Sequence, residues 1–207
     1  MQTTMTCFLL LLLAINSIMI FQLRDRKRTD IIRHLGNMTL GVAGIIVPEM
    51  VILLTKDRQI AYCAFTFYYV AFAWYAMMIF RFSASYSGYR LFKVYKSPLF
   101  WITVIESAAL IWGMFSERFF TITHARWYDH IYWICRVFPM FYVYAIVGYI
   151  ALTGAVVVLM IAATQSARIY RLKYSGVAII IAVMVFSRAN SQLRHQPILV
   201  QVICFAL

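Results

Sequence analysis

Two glutamates interrupt long apolar runs, where carboxylates are costly. Glu49 follows Pro48 within the run 35–55, and Glu106 falls near the middle of the run 97–115. An ionisable group in hydrocarbon must be protonated, hydrogen-bonded or turned toward a polar interior, so each is a functional candidate by default. For Glu106 two readings compete. One is a ligand- or proton-responsive carboxyl in the core of a helix bundle; the other is a structural hydrogen bond holding helices together. Hydroxyls expected at its depth are Tyr68 or Tyr69 in the preceding run and Tyr149 or Thr153 in the following one.

Pro48 removes a backbone donor and can kink the helix that carries Glu49, freeing carbonyls for other partners. Tyr62, Thr66 and Tyr69 follow i, i+4, i+7 spacing and share one helical face. Tyr142 and Tyr149, seven apart, do the same on a later helix. With Glu49 these residues outline a polar, aromatic cavity opening outward, suited to a small-molecule ligand between helices. Aromatic core packing would use the same side chains. The candidate ligand contacts are therefore Glu49, Glu106, Tyr62, Thr66, Tyr69, Tyr142 and Tyr149.

Other chemistry is poorly represented. His124, Asp129 and His130 lie close together but lack a repeated ligand spacing, so no metal site is expected. Cys7, Cys63, Cys135 and Cys204 are scattered without zinc or redox spacing and read as buried apolar side chains. No glycine-rich phosphate loop, nucleophile elbow or Cys/His pair occurs. The chain is expected to be no enzyme on its own residues and to need no cofactor.

The elements that must position these groups are membrane spans. The chain is 64% hydrophobic, and its apolar runs reach the ~20 residues needed to cross a bilayer core. They are 4–23, 35–55, 59–80, 97–115 and 138–164, with a shorter sixth at 174–187 that crosses only if Arg171 and Lys173 snorkel. The runs are continuous, not alternating, which favours helices over a barrel. The expected fold is an all-α polytopic transmembrane bundle of five spans plus a sixth. The first run has no positive charge ahead of it, so it reads as a span and not as a secretory signal.

Basic residues fall in bursts between the runs. Connections after the first, third and fifth runs hold 12 of the 19 lysines and arginines, among them Arg24, Arg26, Lys27, Arg28, Arg81, Lys93 and Arg171. The opposite side holds the other 7. The richer side should be cytoplasmic, which places the N-terminus outside. A net charge of +12 distributed this way suits anionic headgroups, and nucleic acid is not an expected partner. The outer connection 116–137 is dense in aromatics, among them Trp127, Tyr128, Tyr132 and Trp133, and reads as a short interfacial helix or a lid over the bundle's outer mouth.

Four stretches share a recognisable order: the basic cluster 24–28; the aromatic third run ending in Phe80-Arg81-Phe82-Ser83-Ala84-Ser85-Tyr86-Ser87-Gly88; the outer segment Phe119-Phe120-Thr121-Ile122-Thr123; and the fifth run ending in Arg168-Ile169-Tyr170-Arg171-Leu172-Lys173. Over residues 4–187 this order resembles the N-terminal seven-transmembrane sensor region that precedes bacterial histidine kinases and diguanylate cyclases. The resemblance implies an extracytoplasmic N-terminus, in agreement with the charge count, and a sensory role in the bacterial cytoplasmic (inner) membrane. It also implies a seventh span and a cytoplasmic output domain. Here residues 188–197 are polar and 198–207 too short to cross, and neither a phosphoacceptor histidine nor a cyclase motif is present. The division expected is a sensor-like helical domain at 1–187 and an atypical, truncated tail at 188–207. Expected partners are the bilayer, an unidentified small-molecule ligand, a cytoplasmic effector supplied in trans and a second copy of the chain in a homodimer. The leading alternative is a small transporter or channel component in which Glu49 and Glu106 line a proton or cation path. No inverted repeat accompanies them. A ligand-free membrane scaffold is a third.

Overall fold

The computed structural model describes residues 2–24, 29–89, 94–116, 118–127 and 130–193. The basic cluster 25–28, Arg90, Lys93, Glu117, Tyr128, Asp129 and the tail 194–207 lie outside them. Six α-helices occur among the described residues, and most boundaries have a local cause. α1 (Gln2–Arg24) covers the first apolar run. α2 (Asp30–Leu54) is capped by Thr29, whose hydroxyl accepts from the Ile32 amide, and it continues through Pro48. α3 (Arg58–Tyr86) starts at Asp57, whose carboxylate accepts from the amides of Gln59 and Ile60 at 2.7 and 3.3 Å. Those are donors that every helix start leaves without an intrahelical acceptor.

α3 ends in a Schellman turn. Gly88 adopts φ 80°, its amide donates to Ser85 O at 3.1 Å, and the Tyr89 amide reaches back to Ala84 O at 3.0 Å. A 3-10 turn at Val94–Lys96 precedes α4 (Pro98–Met114), and α5 (Pro139–Gln165) follows later. Both helices open on proline, whose missing N–H costs nothing at the first helical position. α6 (Arg168–Leu193) completes the set.

The chain is mostly helical, and α1, α2, α3 and α5 are long and apolar enough to cross a membrane. The expected five spans plus a sixth are matched only in part. The 17 residues of α4 cover ~26 Å at about 1.5 Å per residue, short of the ~30 Å hydrocarbon core. α6 extends well beyond the expected 174–187 segment at both ends and passes the expected domain boundary at Ser187. Its basic start and polar end dilute its apolarity.

The all-α expectation needs correction. Where an interfacial helix or lid was expected, β1 (Phe120–Trp127) and β2 (His130–Val137) form an antiparallel hairpin, in register from Phe120↔Val137 to Trp127↔His130. The cause is visible in the residues. Phe120, Ile122 and His124 alternate with Thr121 and Thr123, and a period of two specifies a half-buried strand. Phe120, Ile122 and Trp133 are buried.

α3 is the hub. It packs against α2, α4, α5 and β1, while α1 lies against α2 and α6 against α5. Small residues on the neighbours receive aromatic rings from α3. A methyl group at Gly41 would stand 3.0 Å from the Tyr75 ring, and one at Gly154 would stand 3.2 Å from Phe80. Within lipid, helices associate through such close packing because the tails are as apolar as the side chains.

Several contacts join the hairpin to α2, α4 and α5. Trp133 Nε1 donates to Thr55 O, the capping residue of α2, at 3.0 Å. The Phe138 amide donates to Phe119 O at 2.9 Å, and the Phe119 ring occupies the space over Gly113 that a side chain there would need. Trp133→Phe keeps an aromatic ring but deletes the donor and part of a buried indole, so it should lower stability by at least about 0.5–1.5 kcal/mol. Gly113→Val should lower it by about 1–3 kcal/mol through overpacking. Thermal unfolding in detergent compared with the parent protein measures both.

Candidate functional site

The seven candidate residues do not come together in one place. Tyr62, Thr66 and Tyr69 are buried on one face of α3, as their spacing requires. The space before them is filled by the hairpin. Phe120 stacks on Tyr62 with centroids 4.7 Å apart and meets Tyr69 edge-on at 5.4 Å, with Phe65 at 6.3 Å. Tyr62 OH donates to Phe120 O at 3.2 Å, and Thr66 turns its hydroxyl back to Tyr62 O at 3.1 Å. On the far side Tyr69 meets Phe141 edge-on at 4.6 Å, and Tyr144 OH donates to Tyr69 O. The expected outward-opening cavity is, at this level, a packed aromatic cluster.

Tyr142 is not part of it. α5 turns Phe141, Tyr144, Ala145, Gly148, Ala151 and Leu152 toward α3. Tyr142 stands about 100° round from Phe141 and is 52% exposed. Tyr149, half-buried beside Gly148, packs on the edge of the core. A seven-residue spacing places two side chains on one face, but it leaves open whether that face is the packed one.

Glu49 is buried and directed toward α1. It lines a groove of about 260 Å³ between α1 and α2, together with Asn16 and Thr39. None of Tyr62, Thr66 and Tyr69 lines that groove. The stripe Thr39, Val42, Ile46, Glu49 follows helical spacing and faces α1, whereas Ile45 and Ile52 join the cluster around α3. Asn16 is the residue the sequence reading passed over. Its signal was available: a carboxamide in the middle of the first apolar run is as anomalous as a carboxylate. It is 6% exposed, and Oδ1 has no hydrogen-bond partner among the described residues. A buried acceptor left unmet costs about 1–3 kcal/mol.

Glu106 is half-buried on α4, and its Oε1 also has no hydrogen-bond partner among the described residues. The tie between α3 and α4 falls instead to Ser107. Trp74 Nε1 donates to Ser107 Oγ at 3.0 Å, and Ser107 Oγ donates to Thr103 O at 2.7 Å. The two glutamates thus belong to different helix pairs, one at α1–α2 and one at α3–α4.

Among the described residues no group of three or more His, Cys, Asp and Glu side chains could hold a metal ion. Asp129 lies outside the described residues. The His124 ring packs against Trp133 with centroids 3.7 Å apart. Under the hairpin, Cys135 receives a hydrogen bond from Tyr69 OH at 3.4 Å, and burial pushes its thiol up to about 12.

At the opposite end of the bundle Arg81 is buried. Tyr174 of α6 meets Tyr86 edge-on at 5.2 Å and donates its hydroxyl to Tyr86 O at 3.5 Å. The end of α3 is therefore held to the start of α6. No family model matches the chain, and the curated proteins contain no match to it.

Two outcomes test this arrangement. Phe120→Ala removes a fully buried ring and should cost about 3–5 kcal/mol, against less than about 0.5 kcal/mol for the exposed Tyr142→Phe, both read from thermal unfolding. Cys135 reacts only as thiolate, and a thiol raised to about 12 stays protonated across neutral pH. Its alkylation at pH 8 should be at least about a thousandfold slower than that of an ordinary thiol, and Phe120→Ala should accelerate it.

Proposed function

We propose that this chain is the membrane-embedded input half of a bacterial signalling receptor of the histidine kinase or diguanylate cyclase type, working on an effector supplied in trans. The observation that carries the reading is the seating of Phe120 among Tyr62, Phe65 and Tyr69. An external hairpin is thereby packed directly onto the hub helix. A displacement of the hairpin, or of any helix against α3, shifts α3 as a rigid element. Its far end reaches α6 through Tyr86 and Tyr174.

The charge distribution supports the orientation. The hairpin, which forms the α4–α5 connection, shares its end of the bundle with the α2–α3 connection; both belong to the side poorer in lysine and arginine, and that side faces outward in this reading. α4 and α6 then cross with the four membrane-length apolar helices, α4 by local thinning of the bilayer and α6 by snorkelling of Arg171 and Lys173. A ligand that binds one arrangement of the helices better than another shifts their populations by its difference in affinity.

A transport path is the competing function. It requires Glu49 and Glu106 on one route, and they sit on separate helix pairs. Three measurements decide. Reporter fusions should place residue 123 outside and residue 173 in the cytosol, and a photocrosslinking residue at position 173 should capture a kinase or cyclase polypeptide in cells. Proton or cation flux in proteoliposomes that disappears in Glu106→Gln would favour the transporter.

A further inference from the structure

α4 meets the rest of the protein through one face. Thr103, Ser107 and Leu110 are buried there, and among its larger contacts α3 is the helix it packs on. Glu106 stands about 60° round from Thr103, on the seam where that face gives way to the membrane. Its Oε1 is enclosed with no hydrogen-bond partner among the described residues, while the residue is only half-buried, so Oε2 is the oxygen left open. The hydroxyl protons beside it are committed elsewhere: Ser107 donates to Thr103 O, and Thr103 donates to Leu99 O at 2.8 Å. Ile102, Ile105, Glu106 and Ala109 follow i, i+3, i+4, i+7 spacing and form one stripe along the helix. The other three members of that stripe are exposed.

Glu106 lies midway along α4, at the depth where lipid tails offer neither donor nor acceptor. A lipid-covered stripe would leave the open oxygen unmet, which is costly in hydrocarbon. A cationic partner would meet it only after leaving its own hydration behind. A carboxylic acid carries a donor and an acceptor in one group, so a second Glu106 supplies what the first lacks. A two-fold axis brings the same residue of two copies face to face. Ala109, one turn along, lets the two backbones approach closely. The length of α4 points the same way: a span shorter than the hydrocarbon core is accommodated in part by oligomerising.

We propose that the stripe of Ile102, Ile105, Glu106 and Ala109 on α4 is the contact surface for a second copy of this chain, with the two Glu106 carboxyls hydrogen-bonded across a two-fold axis within the membrane. Ile102 and Ile105 cover the pair from lipid, and Ala109 sets the approach of the helices. Thr103, Ser107 and Leu110 stay on α3, so dimerisation leaves the packing of each copy intact. The proposal rests on the receptor reading only in that α4 crosses the bilayer, because association is measured without any output.

The test uses the full chain in phosphatidylcholine vesicles at stepped protein-to-lipid ratios. A photocrosslinking residue replaces Ile105 and, in a separate sample, the exposed Ile146 of α5. Position 105 should give a covalent dimer whose cross-links map to residues 102–109 of the second copy, and position 146 should give no more than random encounter. Glu106→Gln keeps donor and acceptor in one group and should dimerise as the parent does. Glu106→Leu should raise the protein density needed for half-dimerisation by about tenfold. A monomer at every ratio, with lipid alone on the stripe, would overturn the proposal. So would equal cross-linking from position 146, an undiminished dimer in Glu106→Leu, or capture in cells of a different polypeptide from position 105. If Glu106→Leu does not fold, the cross-link map of the parent protein decides alone. A dimer with no captured kinase or cyclase would leave this interface standing and remove the receptor reading.

Discussion

Phe120 is the residue on which the arrangement of the bundle turns. It lies on a strand outside the apolar runs, yet its ring is fully buried among Tyr62, Phe65 and Tyr69 of α3. Each ring contact of this kind contributes about 0.5–1.5 kcal/mol beyond area burial. Tyr62 OH also satisfies the Phe120 carbonyl. One side chain thus connects a hairpin to the most enclosed helix, and Trp133 and Phe119 hold the same hairpin to α2 and α4. Without the Phe120 contact, Tyr62 and Tyr69 would be left uncovered on α3.

The same economy governs the rest of the core. α3 is aromatic and its neighbours are small where they meet it, so Tyr75 lies over Gly41 and Phe80 over Gly154. Between apolar helices in lipid, fit and hydrogen bonds must supply what the hydrophobic effect supplies in water. Hydrogen bonds stand at the contacts, among them Trp74 to Ser107, Tyr144 to Tyr69 and Tyr174 to Tyr86. They bind α4, α5 and α6 to α3 or to its end. α1 is different. It packs on α2 alone among its larger contacts, and its share of that interface includes a carboxamide with an unmet oxygen.

The polar groups inside apolar helices therefore serve separate ends. Ser107 ties helices and has every partner it needs. Asn16, Thr39 and Glu49 line one groove between α1 and α2. Glu106 stands on α4 between these cases, half-buried, with one oxygen unpartnered among the described residues. Residues that looked equivalent as interruptions of an apolar run differ by which neighbour the helix rotation gives them.

From the amino-acid order alone come the apolar helices, their caps at Thr29 and Asp57, the prolines that open α4 and α5, and the shared face of Tyr62, Thr66 and Tyr69. Each depends on interactions within about one turn, which local residue types control. The alternation from Phe120 to His124 also encodes the first strand of the hairpin, but the aromatic density of the same segment suits an interfacial helix equally well. What only the tertiary structure decided is which faces meet. Helical spacing groups Tyr142 with Tyr149 and leaves Glu49 between two neighbours, and it has no means of saying that α5 presents Phe141 inward or that Glu49 lines the groove between α1 and α2. Those outcomes depend on crossing positions of helices far apart in the chain. In a sequence apolar all round, the pattern that would announce the buried face is missing.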